Sequence, residues 1–275
     1  MSAKHVVLTG ASSGIGRALA LRYAREHARL TLLGRDAVRL QAASDECRTQ
    51  GAAEVSISPV DVQDRVGMAR AIAAAFAAAP IDVLVANAGV ATGLSPGQIL
   101  ESPDSVRATF AINVSGVFNT VEPALLPMTG RGSGMIAIVG SMAGVRGLPH
   151  SPAYCASKAA VHSYAESLRG VAARHGVDVS LIVPGFVRTP MSQRTIVRTP
   201  ISQRTKSWQP GLMEPAEFAE IVWSGLERRK TVIAAPLYMY YALRFFTFLP
   251  PRLVDWFANR VAATVPETAE REAAE

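Results

Sequence analysis

Tyr154 and Lys158 stand at i and i+4 in Tyr154-Cys-Ala-Ser-Lys158, inside a stretch whose composition favours a helix. At that spacing a phenol and an ammonium project from one helical face. A phenol is a poor acid at neutral pH, with an ordinary pKa of about 10. A neighbouring cation favours its ionised form, so the pair makes a proton donor and acceptor drawn towards working pH. Upstream, Val139-Gly-Ser-Met-Ala-Gly144 delivers Ser141 from the end of an apolar run. A hydroxyl placed there can hydrogen-bond a carbonyl oxygen, or equally serve as a turn or cap residue. Neither feature decides the chemistry alone.

A third feature lies near the start of the chain. Thr9-Gly-Ala-Ser-Ser-Gly-Ile-Gly16 follows the apolar run His5–Thr9 and opens into Arg17-Ala-Leu-Ala20. Gly10, Gly14 and Gly16 let the backbone turn tightly and approach a pyrophosphate, which the unpaired N–H groups of the following helix would hold. The spacing is GxxxGxG rather than the commoner GxGxxG of dinucleotide sites. At the end of the second apolar run comes Gly34-Arg35, where an NAD site would place a carboxylate on the ribose hydroxyls. A guanidinium there suits the 2′-phosphate of NADP(H), so NADP(H) is the expected cofactor.

Something must bring these groups together. Apolar runs at His5–Thr9, Leu30–Gly34, Glu54–Pro59, Val83–Ala86, Met135–Gly140 and Asp178–Val183 read as strands. Several are continuous rather than alternating, as in a parallel sheet buried on both faces. Helical stretches at Ile15–Glu26, Ala37–Gln50, Arg65–Ala78, Pro103–Leu126 and Ala153–His175 separate them. The alternation predicts an α/β fold with a doubly wound parallel sheet. A further helix over Glu214–Arg229 and a last strand over Thr231–Ala235 complete one catalytic domain across 1–235.

Several function classes recede. The chain has 275 residues, 49% hydrophobic and 18% charged, which suits a folded core and not a disordered chain. Two cysteines, Cys47 and Cys155, make neither a disulfide framework nor a zinc site, so no metal is expected and a reducing, cytoplasmic setting is. The first apolar run is too short for an export signal. The formal charge is +6, but no basic run carries interleaved aromatics, so nucleic acid is not the expected partner.

In their order, Thr9–Gly16, Asn87-Ala-Gly89, Asn113, Ser141, Tyr154–Lys158 and Pro184-Gly185 resemble the short-chain dehydrogenase/reductase family, compact NADP-preferring type, over about residues 4–190. The resemblance implies a Rossmann-type sheet and hydride transfer between nicotinamide and a carbonyl or alcohol carbon. It implies that Tyr154 is the general acid/base and that Lys158 holds the nicotinamide ribose and lowers the tyrosine pKa. Ser141 would polarise the carbonyl, and Asn113 would hold a water relaying protons to Lys158. It further implies cofactor contacts from Gly10, Ser12, Ser13, Gly14, Ile15 and Gly16, from Arg35, from Asp61 and Val62 beside the adenine, and from Asn87, Ala88 and Gly89. Pro184, Gly185, Val187 and Thr189 would meet the nicotinamide end. Ala86 replaces the first asparagine of the family's usual Asn-Asn-Ala-Gly.

The family places a mobile substrate lid where this chain carries a tandem repeat, Val187–Ile196 and then Val197–Lys206, within a lid segment of about 187–213. The repeat is basic (Arg188, Arg194, Arg198, Arg204, Lys206) and lacks acidic residues; either copy of Arg-Thr-Pro is open as the one facing the cofactor. Beyond 235 lies an apolar helical extension, 236–275, with the aromatic cluster Leu237–Leu249 and an acidic end. Burial as a lid or subunit contact, peripheral membrane contact, and membrane spanning all remain open for it. The expected protein is a reductase of a bulky, lipid-like carbonyl or alcohol, a homodimer or larger. A noncatalytic NADP(H)-binding redox sensor and an NAD-linked alcohol dehydrogenase are the alternatives.

Overall fold

The computed structural model describes residues 3–94, 98–147, 151–192, 211–250 and 252–254. Seven parallel strands form one sheet in the order β3-β2-β1-β4-β5-β6-β7. They are β1 His5–Thr9, β2 Arg29–Gly34, β3 Glu54–Pro59, β4 Val83–Ala86, β5 Gly134–Val139, β6 Val177–Pro184 and β7 Val232–Ala235. Every residue of β1, β4 and β5 is buried, which is why these strands read as unbroken apolar runs. The edge strand β3 is mostly open to solvent and carries Glu54, Ser56 and Ser58.

Helices cover both faces. On one side lie α1 (Gly14–Ala24), α2 (Ala37–Thr49) and α7 (Pro215–Glu227), packed through Leu19, Tyr23, Leu40, Phe218 and Val222. On the other lie α3 (Arg65–Ala78), α5 (Gly116–Arg131) and α6 (Pro152–Ala172), packed through Met68, Ile72, Val121, Met128 and Val161. A full side chain buried in either layer contributes roughly 1.5–3 kcal/mol. Asp36 and Asp64 start α2 and α3 by accepting the Arg39 and Gly67 N–H groups.

The chain winds from β1 outward to β3, then returns to β4 on the other side of β1, so the switch point lies between β1 and β4. The crevice at the carboxyl ends of those two strands is the ligand site of such sheets. The predicted helix over Pro103–Leu126 is not continuous. It is α4 (Pro103–Phe110), one π-helical turn over Ala111–Ser115, and α5, which runs on to Arg131. After β7, α8 (Leu237–Phe246) packs Tyr240 and Met239 against the sheet side shared with α6. Among the described residues, no helix is long and apolar enough to cross a membrane.

Candidate active site

The glycine loop is set by backbone demands at two positions. Gly10 and Gly14 have φ of +64° and +54°, a region that disfavours side chains. Gly16 has a different task, because a Cβ there would run into the Gly10 carbonyl and lie 2.5 Å from the Asn87 Nδ2. Asn87 is the buttress of the loop: its Nδ2 donates to the carbonyls of Thr9 (2.9 Å) and Gly10 (3.3 Å). Thr9 Oγ1 accepts the N–H groups of Asn87 (3.0 Å) and Ala88 (3.1 Å) and donates to the Val85 carbonyl. Ser13 caps α1 without spending its side chain, leaving its hydroxyl and the first-turn amides of α1 unclaimed by a cap. Ile15 packs partly into the core, and Ser12, Ser13 and Gly14 line a surface hollow of about 570 Å³ beside α1. That hollow runs on along α1 to Arg25; the glycine loop and the uncapped amides at the start of α1 are the cradle that suits a pyrophosphate. Gly16→Ala is expected to weaken nucleotide binding and to cost roughly 1–3 kcal/mol of stability through overpacking, read by urea denaturation with and without nucleotide.

Helix α6 carries Tyr154 and Lys158 one turn apart, and β5 brings Ser141 to them. Ser141 caps the short 3-10 turn Met142–Gly144, accepting the Ala143 N–H at 3.1 Å, and its hydroxyl also hydrogen-bonds the Tyr154 phenol. Burial pushes the Tyr154 pKa up, and the Ser141 hydrogen bond pulls it partly back. Lys158 is 4% exposed, and burial brings its pKa down to about 8. Its Nζ donates to the Val139 carbonyl at 3.0 Å and stands 5.9 Å from the centre of the Tyr154 ring. Desolvation dominates both groups, and Ser141 is what eases the phenol.

Asn113 sits in the π turn, wholly buried. Its Oδ1 accepts the Val90 N–H (2.8 Å), and its Nδ2 donates to the Val90 carbonyl (2.9 Å) and to Ser157 Oγ (3.0 Å). The side-chain amide is thus committed to tying the loop after β4 to α6. Gly89 leaves the space between: a Cβ there would stand 3.1 Å from Asn113 Oδ1 and 3.5 Å from Lys158 Nζ.

Arg35 and Asp61 meet at the carboxyl ends of β2 and β3, with Nη1 3.6 Å from Oδ2. The Arg35 side chain is 64% exposed, whereas nearby Arg17, Arg39 and Arg188 pair with Glu46, Asp36 and Glu214. Val62 is buried against Gly116. Past β6, Pro184 pairs with Ala235 in the last rung of the sheet, and Gly185 donates to the Ala235 carbonyl at 2.8 Å. A Cβ on Gly185 would lie 2.7 Å from the Met239 Cε of α8. Val187 bridges to Met213. Thr189 exchanges hydrogen bonds with Ser192 and packs over Gly14. The first copy of Arg-Thr-Pro therefore reaches the glycine loop. Arg194 of the first copy, the second copy with Arg198, Arg204 and Lys206, and the acidic end of the chain lie outside the described residues.

Sequence reading passed over Thr9, Ser157 and His162. Thr9 and Ser157 are ordinary hydroxyl residues whose roles are hydrogen bonds made across the fold. His162 did carry a signal, since it extends the spacing of Tyr154 and Lys158 by four more residues on the same face of α6.

The model of the family described as short chain dehydrogenase matches residues 4–198. The 3-dehydrosphinganine reductase TSC10B of Arabidopsis thaliana is 30% identical over 258 residues, covering 93% of this chain and 76% of that one. Two solved structures superpose well. A short chain dehydrogenase/reductase from Burkholderia phymatum in complex with NAD gives a TM-score of 0.78 at 27% identity, covering 88% of this chain and 92% of that one. A short-chain dehydrogenase from Sphingobium yanoikuyae in complex with NADPH gives 0.77 at 26% identity, covering 89% and 91%.

Proposed function

The chain belongs to the short-chain dehydrogenase family, and on that premise we propose that it is an NADP(H)-dependent carbonyl reductase or alcohol dehydrogenase acting on a bulky apolar substrate. The observation that carries the reading is the convergence of Ser141, Tyr154 and Lys158 at the crevice that the glycine loop opens. A bound nicotinamide would supply or accept the hydride. Ser141 orients a substrate carbonyl through its hydroxyl, and Tyr154 delivers a proton to the carbonyl oxygen. The phenolate left behind is stabilised by the Ser141 hydrogen bond, and Lys158, with a pKa of about 8, exchanges protons close to neutral pH. Asn113 contributes by fixing the loop after β4 and the start of α6, so any water it holds would be held by its main chain. Gly10, Ser12, Ser13, Gly14, Ile15 and Gly16 would hold the pyrophosphate, and Asp61 would lie beside the adenine. Asn87, Ala88 and Gly89 shape the crevice floor, with Val62 packed behind it. Pro184, Gly185, Val187 and Thr189 would border the nicotinamide.

The preference for NADP(H) rests on Arg35, whose only ion pair among the described residues is the long one to Asp61. That pair is also what favours the rival, an NAD-linked alcohol dehydrogenase, because Asp61 partly neutralises the cation. Arg35→Ala separates the two. It is expected to weaken NADPH binding about 10–100-fold, the worth of charge-assisted hydrogen bonds, and to leave NADH binding unchanged in fluorescence titrations. Equal loss for both nucleotides, or none, would count against NADP(H).

The substrate class is supported by the wall beyond Gly185, where Met239 of α8 lines the approach, and by the similarity to a sphingoid-base reductase. Outward, α8 and the residues after it expose Leu237, Tyr238, Tyr241, Phe245 and Phe248. A helix with such an aromatic face suits a lipid interface or a second subunit, so a cytoplasmic dimer with peripheral membrane contact is the proposed form. A native mass spectrum of gently purified protein reads bound nucleotide, retained lipid and subunit count together.

A further inference from the structure

Ser141 must present its hydroxyl to the same point as the Tyr154 phenol, yet the two arrive on different elements, β5 and α6. Besides the Lys158 bond to the Val139 carbonyl, one side-chain contact from α6 holds the main chain of Ser141 itself. The Ser141 N–H donates to His162 Nε2 at 3.2 Å, in a buried setting. An Nε2 that accepts leaves the ring proton on Nδ1, which fixes the tautomer. Tyr154, Lys158 and His162 follow at intervals of four along α6, so one rigid helix presents the phenol, the ammonium and the acceptor that anchors Ser141.

The turn that carries Ser141 is built around this ring. A Cβ on Gly140 would collide with His162 Nε2, and one on Gly144 would lie 2.9 Å from the same atom and 2.8 Å from the Lys158 carbonyl. Both glycines flanking Ser141 thus clear the space that the imidazole fills. On its other side the turn is held by Gly140 N–H donating to the Ile182 carbonyl of β6 and by Gly144 N–H donating to the Ser141 carbonyl. Burial, together with the cations Lys158 and Arg244, lowers the His162 pKa to about 4, so the ring is neutral and able to accept at physiological pH. Without it, the Ser141 N–H would be a buried donor with no acceptor, at the start of a turn with no other tie to α6 through that group.

We propose that His162 is a positioning residue for the hydride-transfer site: by accepting the Ser141 main-chain N–H, it holds the Ser141 hydroxyl in register with the Tyr154 phenol. The proposal rests on the reductase reading for its effect on turnover but not for its effect on Tyr154. The ultraviolet titration of Tyr154 in the full chain, taken as the difference between each protein and its Tyr154→Phe counterpart, reports that register without any substrate. His162→Leu removes the acceptor at similar bulk. The Tyr154 titration is expected to move to higher pH, because the Ser141 hydrogen bond that favours phenolate is lost, while NADPH affinity is retained.

On a panel of aldehydes and ketones, kcat falls about a hundredfold, the scale expected of a misplacement near 1 Å. His162→Gln, which restores an acceptor at the reach of Nε2, recovers both readouts. In a Ser141→Ala background, His162→Leu no longer moves the Tyr154 titration, as it would if the histidine served packing alone. Should His162→Leu fail to fold, His162→Asn, whose amide stops short of Ser141, carries the same measurements. An unmoved Tyr154 titration in a folded His162→Leu or His162→Asn chain overturns the proposal, as does a His162→Gln chain no better than either. A parent chain that reduces no carbonyl sinks the reductase reading instead, and the titration still decides the role of His162.

Discussion

Tyr154→Phe lowers kcat by about 10²–10⁴-fold and leaves NADPH affinity essentially unchanged. The substitution removes one oxygen and keeps the ring, so the packing of a side chain already half-buried on α6 is preserved. What disappears is the proton source and the hydrogen bond with Ser141, both needed only when a carbonyl is turning into an alcohol. Ser141 and Lys158 remain, but the Lys158 ammonium is engaged by the Val139 carbonyl rather than aimed at the phenol's place. Steady-state kinetics and fluorescence titration with NADPH separate the two quantities. The noncatalytic sensor reading predicts the opposite pattern: a signalling output of the protein in its cell that survives Tyr154→Phe intact. Loss of nucleotide binding together with turnover would point to a structural role for the phenol.

Lys158→Met is the second large effect, and its sign differs between stability and activity. Burial lowers the Lys158 pKa from its ordinary 10.5 to about 8. Between those values the unfolded chain holds a proton that the folded one has released, so stability rises with pH across the window from 8 to 10.5. Below pH 8 the native state carries the whole cost of a buried ammonium, on the order of 3 kcal/mol from that shift. Methionine fills the stem without a charge, offset by about 1 kcal/mol for the hydrogen bond lost at Val139. At pH 7 the variant is therefore expected to unfold at higher urea than the parent. The rise in stability from pH 8 to 10.5 should be missing from it, while turnover collapses. A variant less stable at pH 7, or one retaining that rise, shows that the Lys158 cation is not strained by its surroundings. Where the result holds, the site keeps a residue that the fold would be better without, the usual mark of function placed at the expense of stability.

Much of this was legible from residue patterns because burial writes itself into sequence. Strands β1, β4 and β5 are covered on both faces and so are apolar but for His5 and Thr9 at the two ends of β1, and their limits could be read to within a residue. The glycines at 10, 14 and 16 were legible for a related reason, since positive φ and close approach exclude other side chains. The π turn at Ala111–Ser115 was not, because an inserted residue leaves the helical composition of Pro103–Leu126 unchanged and shifts only the hydrogen bonding. The place where Lys158 ends was not legible either. Spacing on a helix fixes which face a side chain leaves from, not where its end settles, and the end of Lys158 settles on β5. His162 was passed over for the converse reason. A lone histidine in a helix reads as surface or core until the element opposite is known, and the element opposite is the Ser141 turn.

The stitch at the carboxyl ends of β1 and β4 bears on how a nucleotide would arrive. One hydroxyl, Thr9 Oγ1, engages two amides and a carbonyl of the facing strand end, and one amide, Asn87, grips two carbonyls of the glycine loop. These bonds form as the sheet forms, so the loop's conformational freedom is spent in folding and little remains to be lost at docking. The crevice then behaves as a ready-made mould: nucleotide capture is limited by encounter and desolvation, with no ordering of the loop standing between the two.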